Sequence, residues 1–131
     1  MSLTIPLPRH HLRQWATVAL VLSAAACVES QGPDSFIGLW RGSSSVFTQF
    51  QLNFQAHTGE AVWGSALFIF AQTATTVADT DFVAAATGDS LAFTKPVPAF
   101  TGHNNIEFRG RHSAARIEGI ANGVPIVLER Q

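Results

Sequence analysis

The chain has 131 residues, with eight Lys and Arg, nine Asp and Glu, and a formal net charge of −1. This length is enough for one domain behind a targeting segment and too short for two domains. After the single cysteine, Cys27, six basic residues face nine acidic ones, a net charge of −3 with histidine neutral. No basic cluster remains there, so the sequence predicts no nucleic-acid partner.

Residues 1–26 have the pattern of an export signal. Arg9 and Arg13 precede an apolar run of 12 residues, from Trp15 to Ala26. A membrane-spanning helix needs about 20 apolar residues. A secretory signal instead combines a basic head, an apolar core of about 7–15 residues and a small-residue cleavage site. The three alanines at 24–26 fit an ordinary signal-peptidase site, which would give a secreted protein.

The same alanines directly precede Cys27, and Ala24-Ala25-Ala26-Cys27 resembles the lipobox of bacterial lipoproteins, with Ala24 in place of the usual Leu. The resemblance implies lipidation of Cys27, with palmitate among the acyl chains, and attachment to a membrane of the cell envelope. In a Gram-negative cell this is the outer membrane or the periplasmic side. An unpaired thiol is otherwise unusual in an exported protein. Residues 27–35 are then the lipidated cysteine and a tether, and residues 36–131 form the domain.

Residues 36–131 carry the period-two alternation of half-buried β-strands. Phe50, Leu52 and Phe54 alternate with polar residues, and other segments repeat the pattern. Turn residues separate eight predicted strands: 37–44, 46–56, 61–71, 74–86, 90–95, 105–111, 115–121 and 124–130. We predict an all-β fold, an eight-stranded antiparallel up-and-down barrel, because closure removes the two open edges of a meander.

Residues 61–71 are apolar on both faces, which fits a fully buried strand or a strand whose outer face contacts a partner. The Ala- and Thr-rich residues 73–87 fit a strand or a short helix. In the hairpin that follows residue 105, a four-residue loop at 112–115 would pair Arg109 with Glu118.

The segment Gly38-Leu39-Trp40 opens the first predicted strand and is similar to the G-x-W of lipocalin and avidin-like barrels. In lipocalins the Trp closes one end of the barrel and an Arg of the last strand lies over it. The resemblance implies the same pair for Trp40 and Arg130, a cation–π contact. The alternative is a tryptophan that simply fills a small core.

More of the chain resembles a family of short, uncharacterised bacterial lipoproteins. The matching segments are 38–42, 108–113 and 123–131, the last reading G-V-P-I-V-L-E-R-Q. These patterns encode strands and turns rather than chemistry. The resemblance therefore implies a lipocalin-like or avidin-like barrel and a lipid-anchored location, and it implies no activity.

No constellation of residues in the domain predicts an enzyme. His57, His103 and His112 lack the spacing of metal ligands and are predicted to be solvated turn residues, so we expect no metal and no cofactor. Asp79 and Asp81 lie on one face of a predicted strand, as paired acids would, but a solvated strand edge is the simpler interpretation. The sequence contains no G-x-S-x-G or P-loop pattern.

The leading functional prediction is a non-enzymatic, lipid-anchored barrel that binds a small apolar molecule or a partner protein. The residues predicted to line its interior are Trp40, Phe50, Leu52, Phe54, Phe108 and Leu128. The competing interpretation is a solid core, because a domain this small needs its apolar area for stability. The second hypothesis is a protein-interaction or protease-inhibitor-like barrel, with Phe68 and Phe70 forming an apolar surface patch.

Overall fold

A computed structural model describes residues 32–131 of the chain. The predicted signal peptide, Cys27 and most of the tether lie outside the described residues, as do the predictions made for them. Among residues 32–131, no helix is long and apolar enough to cross a membrane.

Eight antiparallel strands form a closed barrel in which strands that are neighbours in the chain pair with each other, and the last pairs with the first. A 3₁₀ helix, Pro33–Phe36, precedes the strands, and a second, Ala99–Thr101, lies between the fifth and the sixth. The strands are β1 (Gly38–Gly42), β2 (Phe47–Thr58), β3 (Ala61–Phe70), β4 (Thr76–Thr87), β5 (Ser90–Pro96), β6 (Asn105–Ser113), β7 (Arg116–Ala121) and β8 (Val124–Arg130). This confirms the predicted all-β up-and-down barrel, with every strand boundary within two residues of its predicted position.

Aromatic rings fill the middle of the barrel. The ring centroids of Phe50 and Phe68 are 4.9 Å apart, and those of Phe82 and Phe93 are 4.7 Å apart. Phe108 joins the same group, 5.5 Å from Phe93. Pairs at these distances contribute about 0.5–1.5 kcal/mol beyond the burial of their area. The phenylalanines therefore form one connected core that links β2 to β6 across the barrel.

β3 alternates between the two sides of the wall although both of its faces are apolar. Phe68 and Phe70 are 0% and 1% exposed, because they pair with Phe50 and Phe47 of β2 on the inner side. The prediction that they form a surface patch is wrong. The outward positions of β3 are the odd-numbered ones, among which Trp63 is the most exposed.

β4 is a strand over its whole length, Thr76–Thr87, so the helical alternative for residues 73–87 is wrong. A β-bulge interrupts its pairing with β3, because Thr80 and Asp81 together lie opposite one residue of β3. A bulge shifts the inward–outward alternation by one residue. Asp79 consequently lies on the inner side of the barrel wall, opposite Ala66 of β3, whereas Asp81 is exposed. The prediction that these two acids lie on one face is therefore wrong.

The β6–β7 hairpin has a two-residue loop at 114–115 rather than the expected four-residue loop. Arg111, and not Arg109, therefore pairs with Glu118, so the predicted register is wrong by two residues. The reason is Ala114, whose φ of 56° is the left-handed conformation that tight hairpin turns require. Alanine gives no such signal in a sequence, since glycine and asparagine are the usual residues there.

β4 and β5 pair with each other over only three residues, 85–87 with 90–92. Beyond that point, residues 76–84 of β4 have strand partners in β3 alone, and residues 93–96 of β5 have them in β6 alone. We call this part of the wall, between residues 76–84 and 93–96, the β4–β5 seam. Side chains rather than backbone hydrogen bonds close the barrel there.

Candidate functional site

The first 3₁₀ helix covers one end of the barrel. Phe36, at the end of that helix, is fully buried. The Nε1 atom of Trp40 donates a hydrogen bond to the carbonyl oxygen of Phe36 at 2.8 Å. The indole thus fills the end of the core while its polar atom is satisfied by the segment that covers it.

Arg130 reaches the same end from the last strand. Its Cζ lies 4.2 Å from the centroid of the Trp40 ring. The guanidinium also donates hydrogen bonds to the carbonyl oxygens of Ile37 and Ser35, each at 2.6 Å. Gly38 has a φ of 132°, and a Cβ at that position would lie 2.7 Å from Nη1 of Arg130. The G-x-W segment and the arginine therefore hold the 3₁₀ helix against the barrel, which is a structural role.

His112 belongs to this covered end and not to a solvated turn. Its ring centroid lies 5.5 Å from those of Phe36 and Trp40. Its Nε2 atom is buried and has no hydrogen-bond partner among the described residues. Burial lowers the pKa of His112, and the positive charge of Arg130 lowers it further. The prediction of a solvated turn histidine is wrong because β6 continues to Ser113 and carries the ring inside.

The other two histidines also make specific contacts. The Nε2 atom of His57 lies 2.7 Å from a carboxylate oxygen of Asp34, which connects β2 to the first 3₁₀ helix. His103 stacks on Phe70 with centroids 5.2 Å apart, at the opposite end of the barrel, and is only partly exposed. Of the two, only His57 is exposed as predicted. Within residues 32–131, no group of three or more His, Cys, Asp and Glu side chains is arranged to hold a metal ion.

A pH dependence of stability follows from His112. Because its pKa is lowered in the folded state, the unfolded chain binds a proton more readily below the ordinary value of 6.5. The contribution of neutral His112 to the free energy of unfolding is therefore fully present above pH 6.5. It is lost as the pH falls below that value. Urea denaturation is expected to give a lower free energy of unfolding at pH 5 than at pH 7. His112→Phe should reduce that difference, and an equal reduction by the control His103→Gln would contradict this origin.

Asp79 and Lys95 form an ion pair on the inner side of the β4–β5 seam. The Nζ atom of Lys95 lies 2.9 Å from Oδ2 of Asp79, and the two side chains are 21% and 23% exposed. The hydrogen bond from Lys95 lowers the pKa of Asp79, more than partial burial raises it. Since Asp79 is bound to a lysine and Asp81 points outward, the two acids do not form a catalytic pair.

The six residues predicted to line a ligand pocket lie together inside the barrel, and each is at most 1% exposed. They are Trp40, Phe50, Leu52, Phe54, Phe108 and Leu128. Their rings approach other rings closely: Phe50 lies 5.4 Å from Phe108, and Phe54 lies 6.0 Å from Phe82. This arrangement favours the interpretation of the six residues as a packed core.

The outer side of β3 and β4 carries apolar side chains. Trp63 of β3 and Val83 of β4 are cross-strand partners, 43% and 57% exposed. Ala61 and Ala85 form the next outward pair beside them, and Leu67 is the next apolar outward residue of β3, beyond Ser65. We call these five residues the β3–β4 outer face. The sequence predicted an exposed apolar patch on β3 but placed it at Phe68 and Phe70, whereas the outward residues are the odd-numbered ones.

A groove of about 980 Å³ runs along the outer side of β5, β6 and β7. Ala92 and Ile120 contribute apolar lining, and Arg109 lies between them without an ion-pair partner among the described residues. Glu107 and Glu118 also line the groove. Because both charge signs are present, the groove selects no single class of charged ligand.

The chain matches no protein-family model, no curated protein and no solved structure. Its resemblance to lipocalin-like lipoproteins stays a prediction that depends on residues 38–42, 108–113 and 123–131.

Proposed function

We propose that this protein is a lipid-anchored, non-enzymatic binding protein of the bacterial cell envelope that contacts a protein partner through the outside of its barrel. The observation that carries the proposal is the contrast between the two sides of the wall. The six interior candidates are at most 1% exposed, whereas Trp63 and Val83 stand about half exposed on an apolar face. Exposed aromatic residues with apolar neighbours are typical of the centres of protein interfaces.

The small apolar ligand is the less supported alternative. To enter the barrel, it would have to displace rings such as Phe50 from Phe68 and Phe108. Fully burying one phenylalanine contributes about 1.5–3 kcal/mol, which the ligand would have to replace. Organic extraction of the purified protein followed by mass spectrometry tests this alternative. One bound apolar molecule per chain would support it and would count against the outer surface as the main site.

Lipidation of Cys27 is the second part of the proposal. It is supported by the lone cysteine, the small residues before it and the basic and apolar segments ahead of them. Cells that express Cys27→Ala are expected to incorporate no labelled palmitate into the protein. Ser30→Ala, three residues further on, is the matched control and should label like the wild type. Labelling of Cys27→Ala at the wild-type level would refute the anchor.

The outer face is tested by site-specific photo-cross-linking in cells. A benzophenone side chain at Val83 is expected to cross-link one discrete protein, because Val83 is the most exposed member of the pair with Trp63. The same probe at Arg41, exposed on the outer side of β1, is the control and should give no such product. Trp63→Ser should remove the Val83 product. Equal products from both probes, or a Val83 product that survives Trp63→Ser, would argue against this face.

A further inference from the structure

The β4–β5 seam leaves two strand edges without hydrogen-bonded neighbours. Residues 76–84 of β4 and residues 93–96 of β5 lie along this seam, and no register pair joins them. An unpaired strand presents a row of backbone N–H and C=O groups that another extended chain can bind. A closed barrel otherwise removes such edges. Residues 124–128 of β8 also lack a register partner in β1, but the unpaired stretch of β4 is longer.

Side chains bridge the seam in place of backbone hydrogen bonds. The ion pair of Asp79 and Lys95 crosses it toward one end of the barrel, and the rings of Phe82 and Phe93 meet across it with centroids 4.7 Å apart. Phe93 is 8% exposed, the highest value among the buried core residues. The seam is thus closed by contacts that separate without breaking any backbone pairing.

The charge and apolarity of the β4 edge specify what can dock there. Asp81, at the bulge, is exposed and has no ion-pair partner among the described residues. Val83 lies two residues away on the outer side, next to Trp63. An incoming strand would therefore place a basic residue near Asp81 and an apolar residue near Val83.

A second copy of this chain fits the edge poorly. Two-fold antiparallel pairing of two β4 edges about Asp81, which lies near the middle of the unpaired stretch 76–84, would set the exposed Asp81 carboxylates of the two copies opposite each other. Like charges directly opposite each other destabilise a strand pair. The charges thus favour a different chain with a basic residue over self-association.

We propose that the β4–β5 seam is a docking site for an extended segment of a partner protein, which carries a Lys or Arg and adds as a strand to the edge of β4. The partner's main chain supplies hydrogen bonds to β4, and its alternate side chains contact Asp81 and the β3–β4 outer face. This proposal rests on the proposed function, since it names how the partner engages the same surface.

The test uses the full chain in detergent and two synthetic peptides as probes. Both have ten residues with Val and Thr alternating, and the fifth residue is Lys in one and Glu in the other. Hydrogen–deuterium exchange without peptide should be faster in residues 76–84 than in 61–70, because the seam side of β4 is unpaired. The Lys peptide should slow exchange in 76–84 and bind about two- to fivefold more tightly than the Glu peptide.

Asp81→Lys provides the decisive variant, because it changes an exposed side chain and leaves the core untouched. It should reverse the preference between the two peptides, so that the Glu peptide binds more tightly than the Lys peptide. The control is Thr87→Lys, which changes an exposed residue of the same strand outside the seam and should leave the preference for the Lys peptide unchanged. No slowing of exchange in 76–84 at millimolar peptide, or an unaltered preference in Asp81→Lys, overturns the seam proposal. If Val83 cross-links a protein in cells but the peptide does not slow exchange in 76–84, the seam proposal alone is overturned. If the peptide slows exchange in 76–84 but Val83 gives no cross-link, the seam proposal is supported and the β3–β4 outer face is removed from the proposed function.

Discussion

Phe68→Ala is expected to lower the free energy of unfolding by about 3–5 kcal/mol. Phe68 is fully buried, and its ring lies 4.9 Å from Phe50, 6.1 Å from Phe82 and 6.0 Å from Phe93. Removing it takes away its transfer free energy and leaves a cavity that rings from three different strands border. Such a site collapses poorly, because the neighbouring rings are held by their own strands. Urea denaturation followed by tryptophan fluorescence measures the change.

Phe100→Ala is the matched control for this prediction. Phe100 lies in the second 3₁₀ helix and is 69% exposed, so its removal should change the free energy of unfolding by less than about 0.5 kcal/mol. Because the two variants delete the same side chain, their difference isolates burial. A similarly small loss of unfolding free energy in both variants would mean that the interior is not a packed core. It would favour the small-ligand interpretation instead.

The alternation of apolar and polar residues predicted the barrel well because period two is a direct consequence of strand geometry. Where one face is plainly polar, as around Phe50 and Leu52, the inward residues were also predicted correctly. β3 has no polar face, so its composition does not indicate which alternate residues point into the barrel. The pairing of β3 with β2 decides which residues point inward, since Phe68 lies opposite Phe50. That information is long-range and absent from the strand itself.

The candidate site was harder to predict because its features depend on local irregularities. The bulge at Thr80 and Asp81 separates two acids that simple alternation places on one face. The left-handed Ala114 shortens a loop and shifts the β6–β7 register. His112 becomes part of the covered end only because the strand that carries it is longer than predicted. None of these departures has a recognisable residue pattern, since each uses ordinary residues in uncommon conformations or positions.

The seam explains why a closed barrel can also offer a binding edge. Closure requires each strand to have two neighbours, but only part of each strand has to be paired for the barrel to hold. Three register pairs join β4 to β5, and an ion pair and a ring contact bridge the two strands beyond those pairs. Both are weaker constraints than a ladder of backbone hydrogen bonds, so a partner strand meets little competition from backbone pairing in this part of the wall.

Gly64→Ala is expected to destabilise the fold by about 1–3 kcal/mol although it adds a single methyl group. Gly64 lies opposite a bulge in β2, and a Cβ there would overlap the carbonyl oxygen of Asn53 and crowd the backbone nitrogen of Gln55, 3.1 Å away. Backbone atoms held in a ladder cannot yield as a flexible side chain can, so β2 and β3 must separate.

Ser65→Ala changes the adjacent residue, which is only partly buried, and is expected to stay within about 0.5 kcal/mol of the wild type. Thermal unfolding of the two variants separates the effects. If Gly64→Ala is as stable as Ser65→Ala, the close approach of β2 to β3 at the bulge is not a requirement of the fold. If it is destabilised as expected, the bulge is a fixed feature, and so is the outward position of Trp63, the residue next to Gly64, which the proposed partner contacts.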